Sequence, residues 1–164
     1  IFEEIKLQTP NISGRMDNLR AAILRPQLSD LSDRVFRWNE RYKVLEEGLR
    51  NVPIIKIIER SENESFVGSS LQFEIPKTSG NQIELFLNGC MNRGVELKWF
   101  GASVPKAFTS KYDSWAYVEP QELANTDRIL SGLIDMRLPL TFSLKDCQII
   151  ARIISSEAMK LSRV

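Results

Sequence analysis

The sequence contains no histidine. That removes the commonest general base near neutral pH, the commonest metal ligand and a member of most nucleophilic triads. Net charge is almost absent as well: 22 basic residues against 21 acidic ones leave +1. This is too little for a general nucleic-acid binder, whose basic excess neutralises several phosphates. No apolar run approaches the roughly 18 residues of a membrane span, and the opening IFEEIKLQTP has neither the basic nor the apolar stretch of a secretory leader. The two cysteines, Cys90 and Cys147, lack C-x-x-C spacing, so they are expected to be core thiols of a protein in reducing, cytoplasmic surroundings. There is no Walker loop, G-x-G-x-x-G, G-x-S-x-G or EF-hand, and no cluster of Cys or carboxylates suited to zinc. Neither a metal site nor a self-sufficient catalytic constellation is expected.

What is present suits one domain. At 164 residues a chain buries roughly 70% of its unfolded surface, enough for its own core. Its first residue is Ile rather than Met, and the expectation is a piece of something longer.

Residues 1–10 read as an extended lead-in, and Asn11, Ser13, Gly14 and Arg15 as a polar turn feeding a helix. Met16, Leu19, Ala22 and Ile23 share one helical face, and Pro26 predicts a kink or break near Leu24–Arg25. From Leu28 the apolar positions Leu31, Val35, Trp38, Tyr42, Leu45 and Leu49 follow at alternating spacings of 3 and 4. That is the seam of a long amphipathic helix packed along one stripe, with Asp33, Arg37 and Arg41 on solvated faces. Truncating Leu31 or Leu45 is therefore expected to cost ~2–5 kcal/mol.

Pro53 closes this helix, and the β-branched run at 54–58 and the alternation of VGSSLQFEI (67–75) predict strands. A helix burying Ile83, Phe86, Leu87 and Cys90 then stops at Gly94, and VELKWF (95–100) predicts another strand. Residues 101–122 form a long irregular stretch with Phe108, Tyr112, Trp115 and Tyr117, which packs either on its own domain or on a partner. Asn125–Asp127 is expected to cap a short helix through Leu133, and Leu138–Phe142 to be extended at a sheet edge. Ser143 opens a last helix with Cys147, Ile150, Ile153 or Ile154, and Ala158 in its stripe. The fold class is α+β: a small, mostly antiparallel sheet covered by helices and led by a long amphipathic helix.

The run SGRMDNLRAAILRPQL at 13–28, the long helix after it and LPLTFSLKDCQIIA at 138–151 together resemble the DegT/StrS-type sugar aminotransferases. These are pyridoxal-phosphate enzymes of the aspartate-aminotransferase-like fold. The resemblance covers only the C-terminal part of such an enzyme, beginning after the segment that holds the Schiff-base lysine. It implies that residues 1–27 contact a large domain and a dimer partner, and that 28–164 form the C-terminal small domain.

In that family an Asn two residues before the motif Arg reaches the cofactor phosphate of the other subunit. Here Ser13 stands in the Asn position, Asn11 is the nearest Asn, and the Arg is Arg15. The resemblance thus implies Asn11, Ser13 and Arg15 as cofactor-binding residues, and Trp99, Phe100 and Lys106 as substrate-binding ones. The implied chemistry is transfer of an amino group from an amino-acid donor to a nucleotide-linked keto-sugar, by a homodimer. None of the nine lysines sits in a segment resembling the catalytic one. The chain alone is therefore expected to supply no catalytic residue, to bind pyridoxal phosphate weakly or not at all, and to be inactive. The alternative is a non-catalytic association domain using the long helix and the 101–122 loop.

Overall fold

The computed structural model describes Gln8, Gly14 and residues 16–104 and 111–161. Helix α1 (Asn18–Ser29) is started by Asp17, whose carboxylate accepts from Arg20 N–H at 2.8 Å. Pro26 lies inside α1 without ending it. Side chains add bonds to carbonyls around it, Gln27 Nε2 donating to Ile23 O at 3.1 Å and Ser29 Oγ to Pro26 O at 2.6 Å. The interruption falls later than the proline predicts, at Asp30, and α2 (Leu31–Leu49) follows at once.

The seam expected from Leu28 to Leu49 is buried only in its second half. Tyr42, Leu45 and Leu49 lie in the core and Trp38 packs on its margin, whereas Leu28 and Leu31 are 66% and 49% exposed. Leu31 is thus not a core position, and the cavity cost argued for it from sequence attaches to Leu45, which is fully buried. Arg41 is also displaced from expectation, being buried rather than solvated. It donates Nε to Phe142 O at 2.7 Å, Nη1 to Arg37 O at 2.7 Å and Nη2 to Leu140 O at 3.1 Å. Trp38 Nε1 adds a bond to Leu138 O at 2.8 Å. Together they latch the 138–142 segment to α2.

Four antiparallel strands form one sheet in the order β1-β2-β4-β3: β1 (Lys56–Ile57), β2 (Ser70–Glu74), β3 (Lys98–Trp99) and β4 (Leu133–Arg137). Strands are shorter than the apolar runs suggest, and β4 replaces the expected continuation of helix to Leu133. The short helix there, α4 (Ala124–Leu130), ends before it and has no side-chain cap. Pairing Leu71 with Met136 and Phe73 with Ile134 puts these four buried side chains on the face toward the helices.

Helix α3 (Gly80–Asn92) begins with a reciprocal capping box of Ser79 and Gln82 and is followed by Gly94 at φ 84°, the left-handed position expected of it. Helix α5 (Leu144–Leu161) starts with Ser143 and Asp146 bonded in the same reciprocal way. It packs against both α2 and α3 and buries Cys147, Ala151, Ile154, Glu157 and Ala158. Gly48 lets α2 approach α5, because a Cβ there would lie 2.7 Å from that of Ala151. Phe73 and Phe86 meet edge to face across the sheet–helix layer with centroids 6.5 Å apart. Both cysteines are free and buried, as expected of core thiols.

Candidate functional site

Asn11, Ser13, Arg15 and Lys106 lie outside the described residues. Trp99 and Phe100 are described, at the end of β3. The Trp99 indole is a wedge: its Nε1 donates to Ser131 O at 2.9 Å. Two glycines make room for it, since a Cβ on Gly80 would come within 3.3 Å of the ring and one on Gly101 within 2.6 Å. Phe100 is half-buried, and its N–H extends the β3–β4 pairing to Leu133 O at 3.0 Å. Trp99 therefore ties the start of α3, the 99–101 turn and the turn after α4 into one rim. Sequence reasoning placed these two aromatics together without seeing that one ring is held by backbone.

The 111–118 part of the long irregular stretch packs on its own domain beside that rim. A single 3₁₀ turn (Tyr112–Ser114) brings Tyr112 OH to Asp127 Oδ2 at 3.0 Å, and Lys111 reaches both Asp113 and Asp127 at 3.2 and 3.8 Å. Burial, then the adjacent Asp127 carboxylate, raises the Tyr112 phenol above its ordinary pKa. Trp115 and Tyr117 stack with planes 5° apart. This half of the stretch is an anchored turn. Residues 105–110 of the stretch lie beyond the described residues.

Several further clefts lie among the described residues, including two at the edges of the sheet. The larger, about 640 Å³, sits between α2 and the β1–β2 connection and is floored by Tyr42, Ile57 and Phe66. Three of its four lining cations are matched locally: Arg50 with Glu46, Lys56 with Glu74 and Arg60 with Glu64. Arg60 also lies over the Phe66 and Tyr42 rings, 4.4 and 5.4 Å from their centroids. Glu46, Glu59, Glu62 and Glu64 line it too, so the cleft is mixed in charge rather than an anion trap.

The smaller cleft, about 340 Å³, opens where the β3–β4 ladder stops, between 94–98 and 135–139. Lining it, Asp135 is 2% exposed, accepts from Gln72 Nε2 at 3.2 Å through Oδ1, and has no hydrogen-bond partner at Oδ2 among the described residues. An aspartate between Ile134 and Met136 was the one sequence signal for this group, and it was missed with the strand.

The described residues do not by themselves compose a pyridoxal-phosphate site. The half-buried lysines are Lys98, across the ladder from Asp135, and Lys111, held by its two aspartates. Neither lies in an enclosed pocket with a phosphate cradle. Among the described residues no cluster of three His, Cys, Asp or Glu side chains could hold a metal ion, and no helix is long and apolar enough to cross a membrane.

A family model described as the DegT/DnrJ/EryC1/StrS aminotransferase family matches residues 2–155. No curated protein matches the chain. Among solved structures, 3-amino-5-hydroxybenzoic acid synthase superposes with a TM-score of 0.69 at 14% identity, over 97% of this chain and 46% of that one. The aminotransferase TlmJ from Streptoalloteichus hindustanus gives 0.72 at 17%, over 93% and 40%. DesI, solved in the presence of its TDP-sugar product, gives 0.70 at 12%, over 97% and 41%. At such identities the likeness is one of fold, and the chain spans less than half the length of each of these structures.

Proposed function

Since the chain belongs to the DegT/DnrJ/EryC1/StrS aminotransferase family, we propose that it is the C-terminal portion of a pyridoxal-phosphate-dependent sugar aminotransferase. The observation that carries this is its superposition, over 97% of its own length, on 46% of an enzyme of that fold. A chain this well matched and this short supplies one part of such an enzyme. The substrates would be a nucleotide-linked keto-sugar, in keeping with the TDP-sugar product of DesI, and an amino-acid donor. The working assembly would be a homodimer.

Pyridoxal phosphate acts in such enzymes as an electron sink held by a lysine. The lysine and most of the cradle would come from outside this chain, which alone is inactive. Asn11, Ser13 and Arg15 would bind the cofactor phosphate, a hydroxyl and a guanidinium being suited to phosphate oxygens. Trp99, its indole fixed by Ser131 and the two glycines, would bind substrate together with Phe100 and Lys106.

Cofactor titration tests the proposal. The 164-residue chain mixed with pyridoxal phosphate should give no lysine adduct that survives dialysis after borohydride reduction. The chain joined to the preceding part of such an enzyme should give one adduct per chain, with amino-group transfer. An adduct at a defined lysine of the chain alone would overturn the assignment of incompleteness. No adduct in the longer form would overturn the aminotransferase reading.

A further inference from the structure

We infer that the cleft of about 340 Å³ beyond the last β3–β4 pair is a binding site for a small organic ammonium with an apolar body, its N–H taken up by Asp135. This goes beyond the aminotransferase reading and does not draw on it. The site lies at the start of β3, whereas Trp99 and Phe100 stand at its end.

The cleft is built by the fold. β3 and β4 pair only at Lys98–Asp135 and Trp99–Ile134. Beyond these pairs each wall is anchored elsewhere. On one side Gly94 turns the chain at φ 84°, and Val95 N–H donates back to Cys90 O at 3.0 Å at the end of α3. On the other, Leu138 N–H donates to Ser69 O at 2.9 Å, and Leu138 O accepts from Trp38 Nε1 at 2.8 Å. The walls are therefore held apart by their own partners, and the ladder does not close over the gap. Half-buried Phe142 and Ile150, both packed on the core, give it an apolar lining.

Asp135 is left half-satisfied beside this space. Nearly all buried polar atoms in native proteins have a partner, and one without bears its full desolvation cost. The neighbours of Asp135 across the two ladders are Gln72 in β2 and Lys98 in β3. Oδ1 accepts the Gln72 amide at 3.2 Å, whereas Oδ2 is closed to water and has no hydrogen-bond partner among the described residues. The two oxygens of a carboxylate point apart. With Oδ1 turned to β2, Oδ2 is turned from it, to the side on which the cleft lies. Because Oδ2 is covered at rest, entry of a ligand requires side chains at the cleft to change rotamer.

One open acceptor beside apolar walls selects the ligand class. An anion would meet the charge of Asp135. A divalent metal ion takes several oxygen ligands, and no cluster of three suitable side chains exists among the described residues. A guanidinium seeks both oxygens of a carboxylate, and Gln72 already holds one. A single ammonium needs only Oδ2. Around the cleft Glu96 and Asp135 are matched in number by Lys98 and Arg137, so its field suits one added charge rather than a polyamine. Phe142 and Ile150 then take the apolar body.

The test uses the 164-residue chain at neutral pH, backbone amide NMR, and three probes of similar shape: phenethylamine, phenethyl alcohol and 3-phenylpropanoate. The amine should shift the amides of 94–98 and 135–138 saturably and bind roughly tenfold tighter than the alcohol, one charge-assisted bond being the difference. The carboxylate should not bind. Asp135→Asn, whose amide keeps the shape and still accepts from Gln72, should hold the parent's urea midpoint or exceed it and lose the preference for the amine. Amine and alcohol binding alike, shifts scattered away from the cleft, no shifts at all, or the same amine preference in the variant would each overturn the inference. If the variant does not fold, the ranking of the three probes by the parent chain still decides.

Discussion

Replacing Arg41 by Met should lower the stability of the domain by about 2–4 kcal/mol. Arg41 is 9% exposed and forms no ion pair among the described residues; its three bonds all go to carbonyls. A hydrogen bond from an ionised donor contributes ~1.5–3 kcal/mol, but the three do not count alike. Arg37 O also accepts the helical N–H of residue 41, so losing Nη1 costs little there. The carbonyls of Leu140 and Phe142 depend on Arg41, and two such bonds would give ~3–6 kcal/mol. Water reaches these half-buried residues, and removing the guanidinium also removes its desolvation cost, so about a third is returned.

Methionine conserves most of the packing volume, which isolates the polar effect. With a urea slope of ~2 kcal/mol per M, the midpoint should fall by about 1–2 M. Arg41→Lys should fall about half as far, because one ammonium cannot reproduce the fork. Trp38→Phe, which removes the single bond to Leu138 O, should cost ~1 kcal/mol. If Arg41→Met unfolded within about 0.2 M of the parent, the latch would contribute nothing and the reasoning would fail.

Acid should act on α5. Glu157 is held below its ordinary pKa by Lys160 first and then Arg93, against its own desolvation, and Asp146 by its bonds with Ser143. Both carboxylates therefore add stability that is fully present above the unfolded pKa of ~4 and is lost as pH falls through the lower folded values. Urea midpoints between about pH 3 and 6 should rise less steeply in Glu157→Gln; curves parallel to the parent's would refute this. Desolvation pushes the Cys90 thiol up to about 12 and raises that of Cys147, so neither should react with a thiol reagent at about pH 8 until the chain unfolds. Gly48→Ala should destabilise by ~1–3 kcal/mol by pressing Ala151 away, and an unchanged thermal midpoint would count against that close approach. Lys77 stands at φ 57°, so Lys77→Gly should raise the midpoint by a few tenths to about 1 kcal/mol in stability.

The parts legible in the sequence were those whose partners lie nearby along the chain. The capping residues Ser143 and Gly94, the buried faces of α3 and α5, and the alternation of β2 all belong to short-range pattern. Strand β4 was hidden because Ile134, Asp135 and Met136 are buried in succession, so its outward face does not read as polar and solvated. The role of Arg41 was invisible for a different reason, since two of its carbonyl partners lie 99 and 101 residues away. Leu28 and Leu31 misled because helical spacing shows that a face is apolar, not which body covers it. Of the site, Trp99 and Phe100 could be placed near one another, while Gly80 and Ser131, which help fix the indole, are separated from it in sequence.

The strand order β1-β2-β4-β3 also sets a timetable. β4 is the last strand made and it alone joins β2 to β3. While the ribosome has delivered only residues up to about 130, β3 has no neighbour and the Phe73 face of β2 lacks its lateral partner. Domains fold as synthesis supplies their parts, and here the sheet closes only when 133–137 emerge. A nascent chain stalled before that point should be digested by protease, and one stalled after α5 has cleared the exit tunnel should resist.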